Sequence, residues 1–242
     1  SAKPVVAALN GVAMGGGLEL ALGCHYRIVA PGCLISMPEV KLGLIPGAGG
    51  TQRLPRALGI EPALNLIVSG DPVKSEQLAQ TPNQRLFDRM ATSADTLLDE
   101  AITLAREAAQ AVAEGQPLPR LRDLPCKHPQ GDGYFEFARA MVKGMARNLP
   151  APLKGLEMVE RATQRKFDDG LSLELQVFKQ DGAAALDERH DAAPGTLLRA
   201  GRDGLDVACA DGALRIRVLQ RDGGKAITAA DYLNGRPDLR GG

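Results

Sequence analysis

The sequence has no tryptophan and few aromatics of any kind, 3% of 242 residues, and its 29 basic and 29 acidic side chains cancel. Zero net charge argues against a generally basic binder of nucleic acid or membrane surface, although a local patch can sit inside a neutral total. Four cysteines, Cys24, Cys33, Cys126 and Cys209, stand far apart without a C-x-x-C pair, and only His25, His128 and His190 could join them. That excludes a disulfide framework, leaves no metal site to expect, and points to reduced thiols in a cytoplasmic protein. Long apolar runs are missing too: the N-terminal stretch is interrupted by Pro4, Glu19, His25 and Arg27 and begins at Ser1 without a basic leader, so neither a signal peptide nor a membrane span is expected. The absent initiator methionine suggests a longer protein that has been cut, or a partial gene. Phosphate-binding glycine motifs are lacking as well. From Gly47 the string reads G-A-G-G-T-Q, with Gln52 where a dinucleotide fingerprint wants glycine, and no G-K-[ST] follows.

What is present is a chain long enough to bury a core, 44% hydrophobic. Residues 4–9, 26–30 and 33–37 are short apolar runs bounded by Asn10-Gly11, Pro31-Gly32 and Pro38, the pattern of buried strands. Gly15-Gly16-Gly17 followed by Leu18 to Leu22 and Gly23 predicts a glycine turn opening a short helix between the first two. A second glycine cluster, 47–50, precedes helical stretches over 51–58 and 61–69, the latter with Pro62 at its first position. Apolar spacing predicts a helix over 92–113, capped by Thr92 with Asp95, and further helices over 134–147 and 153–180. Beyond about residue 181 strict alternation begins: Leu205, Val207 and Cys209, then Leu214, Ile216 and Val218, with Asp211-Gly212 as a hairpin turn, and Thr228 with Asp231 capping a last helix.

Two carboxylates accompany the first glycine turn in surroundings unusually apolar for solvated charges: Glu19 in Gly-Leu-Glu-Leu-Ala-Leu and Glu39 in Ser-Met-Pro-Glu-Val-Lys-Leu. Apolar neighbours raise carboxyl pKa values toward acid and base use. Glycines 15–17 would let backbone amides approach a substrate oxygen that becomes negative during reaction, an oxyanion hole. The alternative is that Glu19 faces water on a short helix and Glu39 merely caps one. His25, His128 and Lys127 read as surface or core groups, and Met141 with Met145 as core or acyl-pocket lining.

The run Lys3 to Ala21 through Gly15-Gly16-Gly17-Leu18-Glu19, with Pro38-Glu39-Val40-Lys41-Leu42-Gly43 and Gly47-Ala48-Gly49-Gly50-Thr51-Gln52-Arg53 after it, resembles the enoyl-CoA hydratase/isomerase (crotonase) family. Beyond residue 70 the resemblance leans toward the hydratase segment of multifunctional fatty-acid β-oxidation proteins, through about Phe178. It implies an α/β fold, a partial crotonase-like spiral with a helical C-terminal segment over residues 1–180. It also implies Glu19 and Glu39 as catalytic glutamates, Gly16 as an oxyanion donor, an acyl-CoA substrate with no separate cofactor because CoA is part of that substrate, and a homo-oligomer where the fold is complete. Both glutamates together favour hydration over double-bond isomerisation. The family's N-terminal half, with its second oxyanion donor, is expected to be missing, and impaired activity with it.

Residues 187–242, through Pro194-Gly195-Thr196, Asp203-Gly204-Leu205, Ala210 to Arg215 and Tyr232 to Arg236, resemble the C-terminal domain of methionyl-tRNA formyltransferase. That implies a small OB-like β-barrel and weak contact with tRNA; formyl transfer, which belongs to another domain of that family, is excluded. After residue 180 nine basic residues face ten acidic ones, and Tyr232 is the sole aromatic, so stacking on bases is poorly supplied. The competing reading of the whole is a truncated or fused protein without catalysis, whose tail binds tRNA weakly.

Overall fold

The computed structural model describes residues 1–146, 149–180, 183–186, 191–192, 196–201, 203–208, 213–216, 218–220 and 226–235. The first two strands, β1 (Val6–Leu9) and β2 (Val12–Met14), are separated only by Asn10-Gly11, and helix α1 (Gly16–Gly23) follows at once. The pattern repeats with β3 (Tyr26–Val29) and β4 (Leu34–Ser36). β3 lies parallel to β1 and β4 parallel to β2, so each pair gives one strand to each of two sheets and the chain advances as a spiral. Strands buried on both faces need no alternation, which is why these runs are continuously apolar; Ile28, Val29 and Ile35 have no exposed surface.

A 3₁₀ turn over Pro38–Leu42 and a loop lead to α2 (Gly50–Leu58) and α3 (Ile60–Ser69). Next come β5 (Val73–Lys74), antiparallel on β4, then α4 (Ser75–Ala79) and β6 (Arg89–Met90), parallel on β3. Helix α5 (Leu97–Ala113) lays Leu97, Ala101 and Leu104 against Ile28 and Ala30. It begins five residues later than the spacing suggested, with Thr96 rather than Thr92 at the cap position, and the Thr92 N–H and the Thr96 hydroxyl both donate to Glu100. Likewise α3 starts at Ile60, two residues ahead of Pro62. After a 3₁₀ turn at Leu121–Asp123 come α6 (Asp132–Met145), α7 (Pro150–Gln164) and α8 (Phe167–Gln180). The single helix expected over 153–180 is thus two, broken at Arg165, whose extended backbone ends α7. The main core joins α1, α2, α3, α6 and α7. Met141 and Met145 are not in it: with Phe137 they form an outward stripe on α6, each more than half exposed.

Arg27, 2% exposed, ties α1 to β3 from beneath. Its guanidinium donates to the carbonyls of Cys24 at 2.7 Å and Leu86 at 2.8 Å and pairs with Asp88 at 3.2 Å. A cation there satisfies carbonyls left open at a helix C-terminus.

In the tail, β7 (Ala183–Leu186), β8 (Leu197–Gly201), β9 (Gly204–Ala208) and β10 (Ala213–Ile216) form an antiparallel sheet ordered β7-β10-β9-β8. β11 (Val218–Gln220) pairs with β12 (Ala226–Thr228), and α9 (Ala229–Asn234) is capped by the Thr228 hydroxyl accepting from Asp231 N–H, as the sequence suggests. Among the described residues these sheets do not close into a barrel. The Asp211-Gly212 turn, Cys209, His190, Pro194-Gly195 and Arg236 lie outside the described residues. No helix among the described residues is long and apolar enough to cross a membrane.

Candidate active site

The glycine turn works as its composition implies. Gly15 holds φ +50°, a conformation that excludes most side chains, and a Cβ there would meet Glu39 Oε1 at 3.1 Å. Glu39 reaches this point because the 3₁₀ turn over Pro38–Leu42 follows directly on β4, while β2 delivers Gly15 alongside. Gly16 opens α1 with nothing within 4 Å of where its Cβ would stand, so the space over its backbone is clear.

Glu19, one turn into α1, points inward and is 5% exposed. Its Oε1 accepts from the amides of Ala48 and Gly50, at 2.8 and 2.7 Å. A Cβ on Gly50 would stand 2.8 Å from that same oxygen, so only glycine lets the backbone come this close. The second glycine cluster therefore serves the first: its amides hold a carboxylate rather than a phosphate.

Burial raises the Glu19 pKa, against the lowering pull of the two amides and of the Arg53 charge. Glu39 is pushed up to about 7, chiefly by burial, with the charge of Glu19 adding to it and a backbone hydrogen bond opposing. The two carboxyls thus sit in different environments, Glu19 held by two amide donors and Glu39 raised by burial, the kind of difference that separates the proton affinities of neighbouring acids. Glu39 Oε2 is buried without a hydrogen-bond partner among the described residues. A bare buried carboxylate oxygen is costly, and such atoms mark places where a proton or a ligand is meant to fit.

A cavity of about 710 Å³ opens beside Glu19, lined by Gly16, Glu19, His25, Ala48, Arg53, Arg120 and Arg122 among others. Glu39 stands behind Gly15 and is not part of this lining. Of the remaining sequence candidates, His25 accepts from Val5 N–H through Nδ1, and His128 stacks on Tyr134 and meets Glu61 at 2.9 Å, away from the cavity.

One carboxylate escaped the sequence reading. Glu174 on α8 has no exposed surface and accepts from the amides of Gly49 and Thr51 and from the Thr51 hydroxyl. The signal was there: Leu173-Glu174-Leu175 repeats the acid between leucines seen in Leu18-Glu19-Leu20.

The raised Glu39 pKa has a stability consequence with a definite sign. A carboxyl that rises from 4.5 to about 7 on folding holds its proton more tightly in the folded state, so its contribution is complete below 4.5 and is lost as pH climbs through 7. Glu39→Gln should remove that slope. Relative to wild type, the variant is expected to gain up to about 3 kcal/mol between pH 4.5 and 8, read by urea unfolding; an unchanged or opposite difference would contradict the placement of this group.

Residues 1–117 match the family model described as enoyl-CoA hydratase/isomerase, and residues 172–237 match the formyl transferase C-terminal domain. The chain is 42% identical over 179 residues to a peroxisomal bifunctional enzyme of Danio rerio, covering 73% of this chain and 23% of that one. It is 39% identical over 182 residues to the glyoxysomal fatty acid beta-oxidation multifunctional protein MFP-a of Brassica napus, covering 72% and 24%. Against the fatty acid oxidation complex subunit alpha of Shewanella amazonensis the figures are 36% over 179 residues, 72% and 25%. The chain thus spans about a quarter of the length of these curated relatives. The peroxisomal and glyoxysomal relatives overturn the cytoplasmic location expected from thiol usage: a reducing environment follows from scattered cysteines, but it does not distinguish one reducing compartment from another.

Proposed function

The chain belongs, through residues 1–117, to the enoyl-CoA hydratase/isomerase family, and from that premise we propose that Glu19, Glu39 and the Gly16 amide add water across the double bond of a 2-enoyl-CoA. Glu19, braced by Ala48 and Gly50, takes a proton from water as its oxygen bonds to the β-carbon. The double bond's electrons move toward the thioester, whose carbonyl oxygen gathers negative charge and is held by the Gly16 amide. Glu39 gives its proton to the α-carbon, and the product is a 3-hydroxyacyl-CoA with atoms and charge balanced. No separate cofactor takes part, since CoA arrives on the substrate.

The observation that carries this reading is the unpartnered, buried Oε2 of Glu39, which sits on a carboxyl whose proton affinity responds to the charge of Glu19. The test is hydration of crotonyl-CoA, followed through loss of the enoyl thioester absorbance, on this chain and on this chain joined to the preceding segment of a relative's hydratase region. Turnover that needs both glutamates supports the reading, and its absence from both proteins ends it.

We propose a division at residues 1–180 and 187–242, the second unit supported by its match to the formyl transferase C-terminal domain. That match favours a second, separable reading in which the tail touches tRNA. Its charge supply is limited: nine basic residues stand against ten acidic ones after residue 180, and Arg215 is paired with Asp206 through two hydrogen bonds at 2.7 and 2.8 Å.

A further inference from the structure

We propose that Glu174 is a positioning residue for Glu19, holding residues 48–51 in the one shape that presents both the Ala48 and the Gly50 amide to the catalytic carboxylate. Along this short stretch the amides alternate between two acids. Ala48 and Gly50 donate to Glu19, whereas Gly49 and Thr51 donate to Glu174. Gly49 lies within this stretch at φ +100°, a left-handed backbone state that glycine adopts without strain. Because the two sets interleave, the stretch cannot slide toward either carboxylate without breaking bonds to the other.

Three turns of α8 follow this stretch in register, since Gly170, Glu174 and Phe178 recur every fourth residue on one helical face. Gly170 lies against Gln52, where a Cβ would stand 2.2 Å from Oε1; Phe178 covers Gly47, where a Cβ would stand 2.5 Å from its ring. Glu174 sits between them with its carboxylate on the backbone. Among the described residues no arginine or lysine pairs with it; the Thr51 hydroxyl and the amides of Gly49 and Thr51 at the start of α2 supply the compensation that a buried carboxylate needs. Burial, with the nearby charge of Glu19 as a further cause, pushes its pKa up to about 7 against those hydrogen bonds.

The role in turnover rests on the hydratase reading, but the geometry does not, and the experiment keeps them apart. Glu174→Gln keeps the shape yet places an NH₂ group against either the Gly49 or the Thr51 N–H, so one amide loses its acceptor in either orientation. In protein carrying ¹³C-labelled glutamate carboxyls, with Glu19 assigned by its loss in Glu19→Gln, the Glu19 midpoint is followed by NMR in wild type and Glu174→Gln. Loosened amides should raise it by about one unit, because donors to the charged form are lost. An unmoved midpoint, as for a carboxylate that only anchors α8, or a lowered one, as for a purely electrostatic neighbour, overturns the proposal. Should Glu174→Gln fail to fold, Thr51→Val, which removes the hydroxyl donor and leaves every carboxylate, carries the same test with a smaller rise. These shifts are visible whether or not the protein hydrates crotonyl-CoA; where it does, kcat should fall about tenfold in Glu174→Gln with KM little changed.

Discussion

Glu39→Gln is expected to lower the kcat of crotonyl-CoA hydration by about a hundred- to ten-thousandfold, the range over which a positioned proton donor contributes, with KM nearly unchanged. The amide keeps the volume of the carboxyl and removes its only transferable proton. Because the carboxyl has an unpartnered buried oxygen and a pKa of about 7, the substitution should not cost stability, so lost turnover cannot be ascribed to unfolding. Glu19→Gln should fall within the same range for a different reason. A glutamine oxygen can still accept from Ala48 and Gly50, leaving the site shaped but without a base. Both variants are compared in initial-rate assays alongside their thermal midpoints. Should either retain more than about a tenth of wild-type turnover while folded, the acid and base assignment fails.

The second large effect concerns the fold. Arg27→Met should reduce unfolding free energy by about 3 kcal/mol, the lower end of what a broken buried ion pair costs. The low end applies because Asp88 is 29% exposed and keeps the Arg27 backbone N–H at 2.8 Å. The carbonyls of Cys24 and Leu86, however, lose a donor that a thioether cannot replace. Arg27→Lys should recover less than half, since one ammonium cannot span the carbonyls that a forked guanidinium bridges. Urea midpoints at constant m-value measure both; a shift under about 1 kcal/mol for Arg27→Met would mean that water takes the place of the side chain.

Local patterns were legible where local physics decides them. Strands β1, β3 and β4 showed as apolar runs between turn residues, and Gly15 with Glu19 showed as a turn opening a helix, because sterics and burial there act over a few residues. β2 was missed since three residues carry no periodicity, and its partner β4 lies some twenty residues on. The break between α7 and α8 was hidden because apolar spacing continues across Arg165 and Lys166 while the backbone turns. The site was half legible. Glu19 and Glu39 stand out as acids in apolar context, but the hydrogen bond from Gly49 to Glu174 spans 125 positions. Only the folded chain shows that the second glycine cluster exists to serve carboxylates. In the tail, alternation identified β9 and β10 as antiparallel strands, yet alternation says nothing about whether a sheet curls shut.

Residues 172–180 have a double allegiance. They fall inside the match to the formyl transferase domain, yet they form the last two turns of the helix that lies along residues 47–52. A protein engineer who grafts a different tail at the edge of that match, upstream of Glu174, would remove the side chain that holds the Gly49 and Thr51 amides beside Glu19. A splice placed after Phe178 would leave it whole. Where such a chain is cut must therefore be decided by contacts, not by where a family likeness begins.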